Sequence, residues 1–178
     1  MQASLHAVAP RQVYQGAWIE VVTDDVRLPN GKRVELDIVR HPGASAIVPF
    51  LSQDEVLLIR QYRHGIKEVT LEIPGGMVEA GDSPEEAARR ELREETGYEE
   101  SQMILLGSVH PNPAFLNNTC YTYLAREVSL AGKQDQDAKE DIEVLLRPLD
   151  MIPRLIREGE ITHSLVLAAF YRFYMEYM

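Results

Sequence analysis

The chain has 178 residues, of which 45% are hydrophobic and 26% are charged, as expected for one globular domain with a continuous core. Its 18 lysine and arginine residues are outnumbered by 28 aspartate and glutamate residues, which gives a formal net charge of -10. This charge excludes a broad nonspecific nucleic-acid surface, because phosphate backbones are bound through clustered Lys and Arg. Small polyphosphates are not excluded, because a cation can offset their charge locally. No apolar run reaches the roughly 18 residues that a membrane-spanning helix requires.

The cysteine content and the first residues bear on the compartment. One cysteine, Cys120, cannot form a disulfide within the chain. The opening residues MQASLHAVAP have neither the basic nor the apolar region of a secretory signal peptide. We therefore expect a cytoplasmic protein. Cys120 lies in the strand-like segment CYTYLA, where a packing role is expected instead of a nucleophilic one.

Strand signals come first along the chain, and helix signals follow. Alternating apolar residues between turn residues predict strands at Ala17 to Thr23, Arg33 to Arg40, Ser45 to Pro49, Glu55 to Gln61, Val69 to Ile73, Met103 to His110, Thr119 to Arg126 and Glu143 to Arg147. Two helices are predicted near the end of the sequence, at about Leu149 to Glu158 and Thr162 to Met175. There is no internal repeat, low-complexity tract or long linker. This mixed order of elements predicts an α/β layered sandwich in a single domain.

The segment VLLIRQYRHGIKEVTLEIPGG carries polar residues that a buried strand does not require. Arg60, Arg63 and His64 interrupt its apolar run, and Glu72 comes near its end. Arginine forks match phosphate oxygens bidentately, so Arg60 and Arg63 are candidate clamps for a diphosphate. The alternative is that both are surface residues at a strand end. His64 is predicted to be a turn residue.

A short helix follows this segment. Ser83, Pro84 and Glu86 have the pattern of a capping box with proline at the first helical position, and Gly97 supplies a left-handed stop. The predicted helix therefore runs from about Pro84 to Thr96. At about 100° per residue, its core-facing positions are Ala88 and Leu92, and its solvent-facing positions are Glu86, Arg89 and Arg93.

Three carboxylates occupy one edge of this helix. Glu91, Glu94 and Glu95 fall within an arc of about 100°, and like charges four residues apart mildly destabilise a helix. Mg²⁺ or Mn²⁺ would compensate them, because both ions prefer carboxylate oxygen. The alternative is a solvated acidic face that neighbouring arginines relieve, namely Arg89, Arg90 and Arg93.

The stretch from Gly76 to Tyr98 resembles the signature of the Nudix hydrolases. That signature is glycine, five residues, glutamate, seven residues, then Arg-Glu-apolar-any-Glu-Glu-any-Gly-apolar. The chain departs from it at Asp82, where the family has a glutamate that supports the arginine of the signature through a salt bridge. An aspartate is shorter by one methylene, which weakens that support. The matching positions are Gly76, Arg90, Glu91, Leu92, Glu94, Glu95, Gly97 and Tyr98.

The resemblance implies a metal site and a fold. Glu91, Glu94 and Glu95 would bind Mg²⁺ or Mn²⁺, the backbone carbonyl of Gly75 would add a ligand, and Arg90 would orient the glutamates. The implied architecture is an α/β/α sandwich with a mixed sheet, preceded by N-terminal antiparallel strands. We therefore expect one domain over residues 1–178, with N-terminal strands at about 1–42 and a Nudix core at about 43–178.

Other residues resemble the ADP-ribose pyrophosphatase branch of this family, in which a sequence like LIRQYR is followed by LE-x-P-x-G. In that branch Arg63 and Glu72 would lie at the substrate, and Arg40 would contribute from the preceding strand. Pro113, fifteen residues past the signature, is a second mark of the branch. Phe115 is a candidate for stacking on a base. The branch often continues with Pro-Gly and an acidic residue, which this chain replaces with AFLNN.

The acidic stretch QDQDAKEDIEV precedes the last predicted strand. In the branch, a loop here supplies a glutamate that activates water or binds metal, and Glu140 matches it best by position. Asp137 and Glu143 are substitutes, and a solvated acidic loop is the competing interpretation. The predicted catalytic residues are therefore Glu140, Glu94 and Arg90.

These residues predict metal-dependent hydrolysis of the pyrophosphate bond of a nucleoside diphosphate sugar, foremost ADP-ribose, which would give AMP and ribose 5-phosphate. Alternative substrates are GDP-mannose, another nucleotide sugar or a dinucleoside polyphosphate. A further alternative is a sensor that binds ADP-ribose without turnover. No nucleic-acid or membrane partner is expected. The resemblance implies a homodimer, for which the apolar C-terminal helix and Trp18, Ile19, Val21 and Val22 offer either interface or internal core.

Overall fold

The computed structural model describes residues 10–136 and 141–178, together with the backbone of residues 6 and 7. The chain divides into two compact units. One comprises the chain up to Pro42 together with His110–Thr119, and the other comprises Gly43–Val109 together with Cys120–Met178. That all 178 residues form a single domain stays a prediction.

The first unit is an antiparallel sheet. Its strands are β1 His6–Ala7, β2 Arg11–Gln15, β3 Glu20–Arg27 and β4 Arg33–Arg40. Strand β3 is central and pairs with the other three. The predicted start of this strand at Ala17 is wrong, because Gly16 N donates to Ile19 O and closes a turn there. The strand also continues past its predicted end at Thr23 to Arg27. Strand β4 has the predicted bounds.

The second unit contains two main sheets and the helices. Its strands are β5 Ala44–Pro49, β6 Glu55–Arg63, β7 Glu68–Glu72, β8 Gly75–Met77, β9 Tyr98–Glu99, β10 Gln102–Val109, β11 Cys120–Arg126, β12 Ser129–Leu130 and β13 Glu143–Pro148. Its helices are α1 Pro84–Thr96, α2 Ile152–Arg157 and α3 Ser164–Tyr177, and a 3-10 turn, Leu149–Met151, precedes α2.

The larger sheet of this unit is mixed. Its order is β10-β11-β5-β8, in which β11 and β5 are parallel and the other pairs are antiparallel. The second sheet has the order β13-β6-β7 and is antiparallel. Small antiparallel strands β9 and β12 pair with each other.

Helices α1 and α3 cover opposite faces of the mixed sheet. Ile47 of β5 packs in a buried cluster with Leu92 of α1. Its neighbour Val48 packs in another cluster with Phe170 of α3. Because successive strand residues face opposite sides of a sheet, the two helices form separate layers. The predicted α/β/α sandwich with a mixed sheet is confirmed.

The structure tests several smaller predictions made from the sequence. Cys120 is 1% exposed, and burial raises the pKa of its thiol to about 11, which confirms a packing role. His64 lies in the turn between β6 and β7, as predicted. The first predicted C-terminal helix begins instead as a 3-10 turn, Leu149–Met151. Among the described residues, no helix combines the length and the apolarity that a membrane crossing requires.

Candidate functional site

Helix α1 begins and ends where its caps place it. Ser83 Oγ accepts a hydrogen bond from Glu86 N at 3.2 Å, and Glu86 Oε2 accepts one from Ser83 N at 2.8 Å. At the other end, Gly97 has a φ of 77°. The fully buried Ala88 and Leu92 fix the rotation of the helix about its axis. The predicted span and core face are confirmed, and they set the direction of the acidic edge.

The backbone of β8 lies against two of the carboxylates. A Cβ atom on Gly76 would lie 2.3 Å from the carboxyl carbon of Glu91, so a side chain here would displace this carboxylate. Gly75 N donates to Glu95 Oε2 at 2.9 Å, and a Cβ atom on Gly75 would lie 2.3 Å from Ser45 O. The two glycines therefore form a cradle for Glu91 and Glu95.

Arg90 holds the carboxylates of Glu91 and Glu94 together. Its Nη1 donates to Glu91 Oε1 at 2.9 Å and to Glu94 Oε2 at 3.1 Å, and its Nη2 donates to Met77 O at 3.2 Å. Burial by itself lowers the pKa of the Arg90 guanidinium, but Glu91 and Glu94 outweigh burial and the net pKa is raised. Arg90 is therefore a permanent cation between two acidic groups and the turn that follows β8.

Asp82 does not complete this arrangement. Its Oδ2 lies 3.6 Å from Arg90 Nε, an ion-pair distance that is too long for a hydrogen bond. Arg90 Nε is buried, and no described residue accepts a hydrogen bond from it. The shorter acid therefore leaves one guanidinium donor unsatisfied, in agreement with the weakened support expected from the sequence.

The carboxylates differ in exposure. Glu95 is only 3% exposed, whereas the side chains of Glu91 and Glu94 are 13% and 40% exposed. Within the described residues, no three His, Cys, Asp or Glu side chains already converge as a metal site. The donors nevertheless fit a hard divalent cation, because all are oxygens, and Gly75 and Gly76 place backbone without a side chain beside two of them.

A second polar group lies on the hairpin of β6 and β7. Arg63 donates to both oxygens of Glu72, from Nε at 2.8 Å and from Nη2 at 2.6 Å. Thr70 Oγ1 adds a hydrogen bond to Glu72 Oε1 at 2.5 Å. Glu72 is 2% exposed, whereas the Arg63 side chain is 41% exposed. Glu72 therefore anchors Arg63, and the arginine is the member of the pair that solvent reaches.

The charge of Glu72 is stable in this setting. Burial by itself raises the pKa of the Glu72 carboxyl, but the hydrogen bonds from Arg63 and Thr70 and the charge of Arg63 outweigh it, so the net pKa is lowered. His163, just before α3, interacts electrostatically with the same pair. Burial lowers the pKa of His163, and its buried Nδ1 has no hydrogen-bond partner among the described residues. No sequence signal singled out His163, because it is an isolated histidine before a helix.

The two arginines proposed as clamps do not lie on the same face of β6. Arg60 and Arg63 are three residues apart in β6, so their side chains leave opposite sides of the strand. Arg60 Nη1 instead contacts Glu143 Oε2 at 3.1 Å, directly across from it on β13. This pair is exposed, with 42% of Arg60 and 58% of Glu143 accessible.

The remaining predicted substrate residues lie in the first unit. Arg40 Nη1 contacts Glu20 Oε2 at 3.1 Å across β3 and β4. Pro113 and Phe115 lie in the segment His110–Thr119, where Phe115 is 45% exposed and its carbonyl accepts from Val39 N. The predicted Glu140, and Asp137 as its substitute, lie outside the described residues.

Known proteins share both the sequence and the fold. Residues 39–170 match the NUDIX domain family. An ADP-ribose pyrophosphatase of Bacillus subtilis is 34% identical over 86% of this chain and 84% of its own length. A methanol dehydrogenase activator of Bacillus methanolicus is also 34% identical, over 91% and 88%. The crystal structure of an ADP compounds hydrolase superposes with a TM-score of 0.86 over 96% of this chain and 92% of that chain, at 22% identity, and thus shares the fold.

The match over residues 39–170 includes the whole signature from Gly76 to Tyr98 and the preceding LIRQYR segment. The resemblance inferred from these residues is thereby confirmed. The chain belongs to the Nudix hydrolase family.

Proposed function

We propose that this chain hydrolyses the pyrophosphate bond of a nucleoside diphosphate sugar, foremost ADP-ribose, to AMP and ribose 5-phosphate. The observation that carries the proposal is the row of α1 carboxylates against the glycine backbone of β8. The similarity to the ADP-ribose pyrophosphatase of Bacillus subtilis supports the choice of ADP-ribose.

Glu91, Glu94, Glu95 and the carbonyl of Gly75 would hold Mg²⁺ or Mn²⁺. When bound, the ion would offset diphosphate charge and lower the pKa of a water molecule. Arg90 keeps the carboxylates of Glu91 and Glu94 close together through one hydrogen bond to an oxygen of each.

Arg63 would bind the diphosphate. Glu72 and Thr70 fix the orientation of its guanidinium, so little side-chain entropy remains to be lost when a phosphate oxygen binds. Arg63 would then stabilise the negative charge that develops on the departing phosphate. Glu72 acts in this scheme by orienting Arg63.

In the reaction, a water oxygen forms a bond to one phosphorus while the bond from that phosphorus to the bridging oxygen breaks. The bridging oxygen leaves as part of the other phosphate monoester. We assign the water proton to Glu140, on the family resemblance alone, with Asp137 and Glu143 as substitutes. The substrate roles of Arg40, Pro113 and Phe115 stay proposals from the family resemblance. Arg60 is not a second clamp beside Arg63, because it leaves the opposite side of β6 and pairs with Glu143.

A substrate panel tests the proposal. ADP-ribose, GDP-mannose and a dinucleoside polyphosphate are incubated with the protein and Mg²⁺ or Mn²⁺, and both products are identified by chromatography. We expect AMP and ribose 5-phosphate at the highest kcat/KM. Faster cleavage of another compound would move the assignment to that substrate. Saturable ADP-ribose binding with no product under any metal would indicate a sensor.

A matched pair of variants tests the site itself. Glu95→Gln keeps an oxygen that can accept from Gly75 N, so we expect a folded protein. Its turnover should fall by more than the about 10- to 100-fold typical of outer-shell changes. Glu99→Gln is the control, because Glu99 is an exposed partner of Arg93 beyond the end of α1. Unchanged turnover in folded Glu95→Gln would refute the assignment.

We also propose a homodimer in the cytoplasm. Exposed apolar side chains of the first unit support an interface, chiefly Tyr14 and Trp18, each 55% exposed. Val22 is 2% exposed and belongs to the core instead. Light scattering coupled to size exclusion should give twice the protomer mass of 20.2 kDa. A single species of 20.2 kDa would contradict the dimer.

A further inference from the structure

The carboxyl end of α1 is capped by a distant segment of the chain. The last carbonyls of a helix lack partners within it. Here Asp135 N donates to Glu94 O at 2.9 Å, and the side-chain amide of Gln134 donates to Glu95 O at 2.6 Å. The two residues whose carbonyls are capped are the same two whose carboxylates belong to the proposed metal site.

The segment around Gln134 is docked closely on this helix end. Gly97 O accepts from Ala131 N at 2.9 Å and from Gly132 N at 3.1 Å. A Cβ atom on Gly97 would lie 2.6 Å from Gly132 O, so the approach requires glycine. Backbone hydrogen bonds and close backbone packing therefore join the end of α1 to residues 131–135.

Gln134 also joins this interface to the antiparallel sheet. Its Nε2 donates to Ile142 O at 3.1 Å, one residue before β13 begins. Ile142 is 5% exposed and packs with Leu57 and Ile59 of β6. One amide group thus connects the helix that carries the glutamates to the sheet that carries Arg63.

We propose that Gln134 is a positioning residue that holds Glu94 and Glu95 in the register needed to bind a divalent cation. Glu95 is held at both ends, because Gly75 N fixes its carboxylate and Gln134 fixes its carbonyl. Without the amide, the last turn of α1 is free to fray, and the spacing between the carboxylates is lost. The inference rests on the proposed function, since it presupposes the metal site.

Mn²⁺ titration of the substrate-free protein, followed by electron paramagnetic resonance of the free ion, tests the proposal. Gln134→Met keeps the length of the side chain and removes the donor. We expect about tenfold weaker Mn²⁺ binding, the lower bound for outer-shell partners of metal ligands. Ser83→Ala is the matched control, because it destabilises the other end of the same helix by about 1 kcal/mol. Its Mn²⁺ affinity should equal that of the wild type.

Two results would overturn the role of Gln134: unchanged Mn²⁺ affinity in Gln134→Met, or an equal loss in Ser83→Ala, which would show a general effect of helix stability. If Gln134→Met does not fold, Gln134→Asn gives the same comparison, because its amide is too short to reach both carbonyls. Absence of Mn²⁺ binding by the wild-type protein would instead refute the proposed metal site.

Discussion

Lengthening Asp82 by one methylene should stabilise the protein. In the wild type, 3.6 Å separate Asp82 Oδ2 from Arg90 Nε, and hydrogen bonds of this type measure about 2.7–3.2 Å. The donor is buried and no described residue accepts from it. The longer side chain of Asp82→Glu can close this gap while the guanidinium keeps its other contacts.

The expected gain follows from the geometry. A hydrogen bond to a charged group contributes about 1.5–3 kcal/mol to stability. The two side chains are 35% and 28% exposed, so solvent screening and the added rotamer freedom of glutamate reduce the gain. We expect a net stabilisation of about 1 kcal/mol. For a chain of this size, this corresponds to an increase in Tm of roughly 2–4 °C.

Thermal unfolding followed by circular dichroism measures this change. Asp82→Asn is the control, because it keeps the length of the wild-type side chain and removes its charge. It should unfold below the wild type, since the attraction to the arginine is lost and no hydrogen bond is gained. A Tm of Asp82→Glu equal to or below that of the wild type would show that Nε is satisfied in another way, and the reasoning would fail.

Three further predictions concern the cradle, the clamp and the pH response. Gly76→Ala should displace the Glu91 carboxylate and weaken Mn²⁺ binding, with little loss of stability in urea unfolding, because the end of the glutamate side chain can move aside. Wild-type affinity would contradict the cradle. Thr70→Val removes a donor to buried Glu72 and loosens Arg63, so we expect a lower kcat/KM for ADP-ribose, and an unchanged kcat/KM would argue against the clamp. The pKa of His163 in the folded protein lies below its ordinary value of 6.5. As the pH drops below 6.5, this histidine is therefore protonated more readily in the unfolded chain than in the folded one, and stability falls. In His163→Gln, stability should fall less between about pH 7 and 5, and an unaltered pH profile would exclude this contribution.

Local sequence chemistry was sufficient to predict the helix that carries the carboxylates. Ser83, Glu86 and Gly97 lie within or next to the helix, and capping interactions act within a single turn. The first and last residues of the helix can therefore be predicted from a short stretch of sequence. Its core face follows from the helical period, and the spacing of the signature identified the family. The strand β2 escaped the same reasoning, because all its residues are exposed and it shows no alternation of buried and exposed positions.

The partners of the functional side chains required the tertiary structure. Gln134 reaches a carbonyl 39 residues earlier, and Arg63 meets a glutamate nine residues later, on the same face of the β6–β7 hairpin but four positions along from its own register partner, Glu68. The strand β8 exists because β5 pairs with it, not because its Gly-Gly-Met sequence favours a strand. Amide, guanidinium and glycine contacts of this kind have no period along the sequence, since they form only between segments that the fold brings together. The sequence by itself therefore determined the family, the helix and its acidic edge, and the packing of distant segments decided how those side chains are held.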